Sequence, residues 1–234
     1  MKTNFRVGIL GAGLGSRLKN SAPAKPLALL CGKTMLEQLV DRFQRAGCQE
    51  ILCALRGELI DSQMREQLPR VGGVSYLFTD TESSLHTLAE LIRGLGITKG
   101  GVLFSMADTI MLPSDFERFM AFCKELKSDE CAVLLTPYVD DENPLWSAVN
   151  SSGYVTSFGS EPTAFVTSGM YFLQPSAMQF ALELVGSGTQ KMRNFLTRLV
   201  VERQMPVKSF VVNKTIDVDH PSDLEKAAAF LRGD

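Results

Sequence analysis

No stretch of this sequence stays apolar for the roughly 20 residues that a membrane-spanning helix needs, so no span is expected. Nor is positive charge in excess: 24 Lys and Arg stand against 26 Asp and Glu, for a formal net charge of −2 and an isoelectric point of about 5.8. Such a chain has no overall basic field to hold a nucleic-acid backbone or an anionic bilayer, which argues against both as partners. The five cysteines, at positions 31, 48, 53, 123 and 131, are odd in number and lack metal-knuckle spacing. Cys48 and Cys53 are five apart rather than three, so all five are read as reduced, largely buried thiols. Val7 to Leu14 follows Lys2 and Arg6 but is short and broken by Gly8, Gly11 and Gly13, which fits a buried strand entering a loop and not a signal peptide. A cytoplasmic protein is expected. Internal repeats, low-complexity tracts and linkers are also lacking, and 45% hydrophobic residues over 234 positions suffice to bury a core, so one domain over 1–234 is expected.

The first half alternates short apolar runs with amphipathic segments, the pattern of a parallel sheet wound with helices. Strands are predicted at Arg6 to Leu10, Glu50 to Leu55, Val74 to Phe78 and Gly101 to Ser105. Thr34 and Glu37 are spaced as a capping box opening a helix whose apolar face is Leu36, Leu39, Val40 and Phe43, ending near Gly47. Ser84 is read as the cap of a second helix, and Pro113 as the first turn of a third. After about Lys127 strands predominate: Cys131 to Pro137, Trp146 to Val149, Tyr154 to Phe158 and Ala164 to Leu173, with a hairpin turn at Asn150 to Gly153. Helices are predicted at Pro175 to Val185 and about Gln190 to Arg203. Strands at Val207 to Val212 and Ile216 to Asp219 then lead to a last helix opened by Pro221.

Directly after the first strand comes Leu10-Gly11-Ala12-Gly13-Leu14-Gly15-Ser16-Arg17. Its glycines let the backbone take positive φ and bring amides close to a phosphate chain, and Arg17 adds a forked cation. Lys25-Pro26-Leu27 follows eight residues later. Two common phosphate motifs do not fit. A dinucleotide fingerprint needs a different glycine phase, and a P-loop needs glycine where Leu27 precedes Gly32-Lys33-Thr34. Lys33 is therefore read as solvated and Thr34 as a helix cap.

The succession A-G-x-G-S-R (12–17), K-P-L (25–27) and G-K-x-x-L-E (32–37) resembles the N-terminal signature of the NTP-transferase superfamily, which includes sugar-1-phosphate nucleotidyltransferases, small cytidylyltransferases and MobA-like NTP transferases. The resemblance implies an α/β, glycosyltransferase-A-like fold: a Rossmann-like three-layer sandwich on a mixed central sheet. It also implies a loop of Leu10, Gly11, Ala12, Gly13, Gly15 and Ser16 wrapped around the triphosphate of an NTP, with Arg17 on the outgoing pyrophosphate and Lys25 near the α-phosphate. Gly11 departs from the family's usual alanine, and the spacer from Arg17 to Lys25 is that of compact members.

Asp108 stands just beyond the carboxyl end of a buried strand, where ligand crevices of open α/β sheets lie; a plain turn cap is the competing reading. By resemblance it is a magnesium-binding aspartate, with Ala107 in place of a glycine. The segment Thr215 to Leu224 resembles the family's closing D-x-D-T-P-E-D-L. It implies Asp217 at a metal site, with Asp219 either a ligand or the cap of the last helix. Lying on one strand, these two are expected to diverge unless the strand ends between them. His220 is read as part of that turn and His86 as exposed or hydrogen-bonded. Ser84 and Leu85 match the form in which some cytidylyltransferases read the base, which tilts the reading toward CTP. Phe165 to Phe172 resembles the strand lining the acceptor pocket, implying acceptor contacts from Thr167, Gly169 and Glu161. The lysine that many sugar-1-phosphate enzymes carry between a glutamate and a proline is missing at Glu161-Pro162, and Trp146 is read as packing.

The activity implied is transfer of NMP from an NTP to a sugar-1-phosphate or similar phosphorylated acceptor, with Mg²⁺ and release of pyrophosphate. Residues 1–127 would form the nucleotide half and 128–234 the acceptor half. A cytidylyltransferase for inositol phosphate or phosphocholine, and a nucleotide-binding regulatory module without turnover, remain open, as does a homo-oligomer.

Overall fold

In the computed structural model, which describes residues 5–18, 21–97 and 100–233, the chain begins with β1 (Arg6–Gly11). Two single-turn 3-10 segments, Ser16–Leu18 and Lys25–Leu27, lead to a small hairpin of β2 (Leu29–Leu30) and β3 (Lys33–Thr34). Helix α1 (Met35–Arg45) opens on the expected capping box. The Thr34 N–H donates to Glu37 Oε2 at 2.7 Å and the Glu37 N–H to Thr34 Oγ1 at 3.1 Å, which satisfies two orphan amides at once. Then come β4 (Glu50–Leu55), the short α2 (Ser62–Gln67), β5 (Val74–Phe78) and α3 (Ser84–Leu95). The cap of α3 is Ser83, not Ser84; its hydroxyl accepts the His86 N–H and pairs with His86 Nδ1 at 2.9 Å. The half closes with β6 (Val102–Met106), β7 (Thr109–Ile110) and α4 (Pro113–Glu125), which starts on its proline.

The second half runs β8 (Cys131–Thr136), β9 (Trp146–Val149), β10 (Val155–Gly159) and β11 (Phe165–Leu173). Helices α5 (Pro175–Gly186) and α6 (Met192–Val201), strands β12 (Val207–Val211) and β13 (Ile216–Asp217), and α7 (Pro221–Arg232) complete it. Among the described residues nine strands form one mixed sheet. Its main path is β10-β9-β11-β6-β1-β4-β5, and β8 pairs with both β11 and β12. Strands β6, β1, β4 and β5 are parallel, and β11 runs antiparallel to β6.

Period-two alternation sends each strand's side chains to two cores. On one face Leu52, Ala54, Phe104, Val133 and Leu135 pack under α3, α5 and α6. On the other Val7, Ile9, Ile51, Cys53, Leu103 and Leu134 pack under α1 and α4. The result is a three-layer α/β sandwich. A third cluster of Leu18, Leu30, Met35, Ile110, Ile216 and Ala227 seats α7 beside the β2–β3 hairpin. As expected, Cys48, Cys53, Cys123 and Cys131 are buried free thiols, whereas Cys31 is exposed. Among the described residues no helix is long and apolar enough to cross a membrane.

Candidate active site

The parallel strands β1 and β6 end side by side, and the chain leaves both at the same edge. The Leu10 carbonyl, near the end of β1, accepts the Ala107 N–H at 3.0 Å, which locks the glycine loop against the turn carrying Asp108. Of the loop glycines only Gly15 has positive φ, at 54°. A Cβ there would meet Lys25 Cβ at 2.7 Å, and one on Gly11 would meet Ala54 O and Pro26 Cγ at 3.0 Å. A side chain at Gly11 would thus crowd its neighbours, whereas around Gly13 there is open space. Among the described residues the N–H groups of Gly13, Leu14 and Gly15 have no protein acceptor. Gly13 and Gly15 border a cavity of about 290 Å³ lined also by Leu10, Ser16, Arg17, Lys25 and Asp108. Ala12 is buried beside it.

Lys25 crosses the floor of this cavity. Its side chain is 13% exposed, and its Nζ pairs with Asp108 Oδ2 and with Asp219 Oδ1 at 2.6 Å. Burial alone would lower the ammonium's pKa; the charges and hydrogen bonds of Asp108 and Asp219 override it and hold the group above the ordinary lysine range.

The two-stranded pair of β13 with β7 brings the C-terminal carboxylates to the same place, with Asp217 opposite Thr109. Thr109 Oγ1 donates to Asp217 Oδ1 at 2.8 Å, and the Val218 N–H donates to the Asp108 carbonyl at 3.1 Å. The Asp217 carboxyl is pushed up to about 7, first by the protein crowded around it and then by the like charge of Asp108. Water still reaches it, because the residue is exposed at the bottom of the open cleft, so burial raises it less than full enclosure would.

Asp217 and Asp219 do not diverge, the strand ending between them as the exception required. Residues two apart on a strand share a face, β13 ends at Asp217, and both side chains line the cleft. Nor does Asp219 cap α7. His220 occupies that position, and the Asp223 carboxylate accepts the N–H groups of Asp219 at 3.1 Å and His220 at 2.8 Å.

A second cavity of about 330 Å³ adjoins the first across Asp108 and Asp219, with Ser84, Thr167, Gly169 and Asp217 in its walls. Gly169 sits where the pairing of β11 with β8 shifts register between Thr167 and Tyr171, in a left-handed conformation with φ 65°. A Cβ there would overlap Thr109 Oγ1 and press on Met106 Cβ. The bulge thus lets β11 pass close under the Asp217–Thr109 pair. Two expected site residues fall elsewhere, and a third, Arg17, reaches only the rim of the first cavity. Leu85 is fully buried in the core under α3, because the second position of that helix points into the sheet. Glu161 is exposed on the bend between β10 and β11 and lines neither cavity. Arg17 is at the rim, exposed, and paired with Glu142 at 3.2 Å. Not foreseen were Thr109, which orients Asp217, and Lys191 and Arg193, which line the second cavity; neither cation belongs to any motif read along the chain.

The MobA-like NTP transferase domain model matches residues 7–202. The chain belongs to this family. Its relatives include the bifunctional protein GlmU of Thermoanaerobacter pseudethanolicus, 22% identical over 82% of this chain and 43% of that protein. The 3-deoxy-manno-octulosonate cytidylyltransferase of Idiomarina loihiensis is 28% identical over 58% of this chain and 55% of its own. The chain spans about half the length of these curated relatives. Among solved structures, the inositol-1-phosphate CTP transferase of T. maritima superimposes with a TM-score of 0.75 at 14% identity, over 97% of this chain and 96% of the other. The CTP:phosphocholine cytidylyltransferase of Streptococcus pneumoniae does so with 0.75 at 17% identity, over 97% and 99%. At these identities the likeness carries the fold, which is that of the nucleotidyltransferases.

Among the described residues no group of three or more His, Cys, Asp or Glu could by itself hold a metal ion. The donor set nevertheless fits magnesium, which takes hard oxygens, keeps waters and needs only one or two carboxylates beside phosphate oxygens. Asp108 and Asp217 are two such carboxylates, and a bound cation would relieve their mutual repulsion.

Proposed function

We propose that this chain transfers the nucleoside monophosphate of an NTP to a small phosphorylated acceptor and releases pyrophosphate. One observation carries the reading: Lys25, Asp108, Asp217 and Asp219, drawn from the start, middle and end of the sequence, meet beside a loop whose amides have no protein acceptor. In this reading residues 1–127 supply the nucleotide half and 128–234 the acceptor half.

An oxygen of the acceptor phosphate attacks the α-phosphorus in line. The new P–O bond forms as the bond from the α-phosphorus to the bridging oxygen breaks, and the electron pair leaves with pyrophosphate. A phosphate dianion is already a nucleophile and needs no general base, so the protein contributes positioning and charge neutralisation. The loop amides hold the triphosphate, Lys25 exchanges Asp219 for an α-phosphate oxygen, and Arg17 swings from Glu142 to the departing pyrophosphate. Asp108 and Asp217 would hold Mg²⁺, which when bound neutralises phosphate charge.

The Ser84-Leu85 form and the likeness to CTP-using proteins support CTP as the first donor to test, with the base contact coming from Ser84 because Leu85 is buried. The absent lysine at Glu161-Pro162 counts against a standard glucose-1-phosphate site and favours acceptors of the inositol phosphate or phosphocholine kind. An NTP-using reaction also fits the cytoplasm. The test is a matrix of the four NTPs against sugar-1-phosphates, inositol phosphate and phosphocholine, scored by Mg²⁺-dependent pyrophosphate release. Nucleotide binding without release from any pair would leave only a regulatory module.

A further inference from the structure

The acceptor's phosphate must lie against the cleft wall facing the α-phosphorus, and that wall is predominantly acidic. Asp108, Asp141, Asp217 and Asp219 all line the cavity of about 330 Å³. A phosphate dianion entering there meets like charge unless protein cations offset it. Among the described residues the cations lining this cavity are Lys191 and Arg193. From this we infer that Lys191 and Arg193 hold the phosphate of the acceptor. The inference rests on the nucleotidyl-transfer reading for its chemistry, not for its geometry.

The segment that carries Lys191 is anchored through its backbone, and the Arg193 side chain is held directly. The turn before α6 is tied to the nucleotide half by the Ser83 hydroxyl, which donates to the Gln190 carbonyl, one residue before Lys191. Arg193 Nη2 donates to the Asn143 carbonyl at 2.9 Å, and the Asn143 N–H donates to Asp141 Oδ1 at 2.8 Å. The guanidinium is thereby pinned at one nitrogen, leaving its other donors for a ligand, and an arginine fork suits a phosphate. The Lys191 ammonium is exposed and has no hydrogen-bond or ion-pair partner among the described residues. The same two side chains border an open groove beside Ser187 and Thr189, which gives a phosphorylated molecule a route in from solvent.

The reaction that consumes such an acceptor forms its new bond from the phosphate oxygen left free to face the α-phosphorus, so a phosphate monoester is the acceptor class required. A diester has no terminal dianion to offer and is excluded.

The experiment uses the full chain with Lys191→Ala, Arg193→Ala and Arg193→Lys. In steady-state pyrophosphate release, each alanine variant raises the acceptor KM by about 10- to 100-fold, the range for a lost hydrogen bond between charged groups, with NTP KM and kcat within about 3-fold of the parent. Arg193→Lys recovers part of the loss. Equilibrium dialysis with inorganic phosphate is read in parallel without NTP, and the Lys191→Ala/Arg193→Ala double variant binds at least 10-fold more weakly than the parent. An acceptor KM unchanged by Lys191→Ala, or an NTP KM that rises equally, overturns the inference even where turnover is robust. Should the parent protein release no pyrophosphate while phosphate binding still depends on Lys191 and Arg193, the clamp stands and the nucleotidyl-transfer reading falls.

Discussion

The Nζ of Lys25 lies 2.6 Å from Asp219 Oδ1 while also paired with Asp108, so one ammonium is the counter-ion of two carboxylates far apart in the sequence. Without a nucleotide this ammonium offsets part of the cleft's carboxylate charge and is itself fully engaged. A triphosphate must then compete with Asp219 for Lys25, and Asp219, half-exposed at 48%, can swing into water more readily than Asp108 at 17%.

The first expectation concerns Lys25 itself. Removing a cation aimed at developing phosphate charge costs about 10² to 10³ in rate by analogy with other preorganised donors. Lys25→Ala is expected to lower kcat by that factor while the fold persists, checked by pyrophosphate release and circular dichroism. A loss of less than about 5-fold would remove Lys25 from the chemistry.

Asp217 and Asp219 should separate cleanly. Asp217 faces Asp108 and is oriented by Thr109, whereas Asp219 serves Lys25. Asp217→Asn is therefore expected to move the half-saturating Mg²⁺ concentration up by about 10-fold or more, since a magnesium site with few protein carboxylates depends on each of them. Asp219→Asn should leave that concentration nearly unchanged. Equal shifts in a magnesium titration would assign both residues to the metal.

Much of the fold was legible because its signals are local. The capping box at Thr34 and Glu37, the proline starts of α4, α5 and α7, and the buried runs of β1, β4 and β5 all follow from neighbours within a few positions. The glycine loop, Lys25 and Asp108 were legible for the same reason, since order along the chain carries them. What escaped depends on contacts made across the fold. Nothing near Lys191 announces that Ser83 ties its turn to the far half, and nothing near Thr109 announces its pairing with Asp217. Leu85 and Glu161 were assigned by motif position, which does not determine where a side chain points. The first turned into the core and the second stayed on an exposed bend.

Gly169 tests whether the bulge in β11 matters to the site. Alanine there takes a strained left-handed backbone and drives its Cβ into Thr109 Oγ1. Gly169→Ala is expected to cost about 1–3 kcal/mol in stability, seen as a drop in the urea midpoint. Activity should fall further than stability accounts for, because Thr109 is the residue that orients Asp217. Gly13→Ala, which meets open space, is the comparison for a loop glycine without that constraint, and its stability should be nearly unchanged.

Alkaline pH should expose the cost of the buried thiols. Burial pushes Cys53 and Cys131 up to about 12 and Cys48 up to about 11, whereas an unfolded thiol ionises near about 8.5. Between those values the unfolded chain releases protons that the native chain retains, so the unfolded state binds fewer protons and stability falls as pH rises. Below about pH 8 both states hold the proton and the thiols contribute no pH dependence. Each such group steepens the loss by up to about 1.4 kcal/mol per pH unit once its unfolded form is ionised. In urea unfolding under reducing conditions, Cys53→Ala should therefore lose about 2 kcal/mol less stability between pH 8 and pH 10 than the parent does. Parallel slopes for the two proteins would mean that the thiolate of Cys53 is accommodated in the folded chain, against its position fully enclosed between β4 and α1.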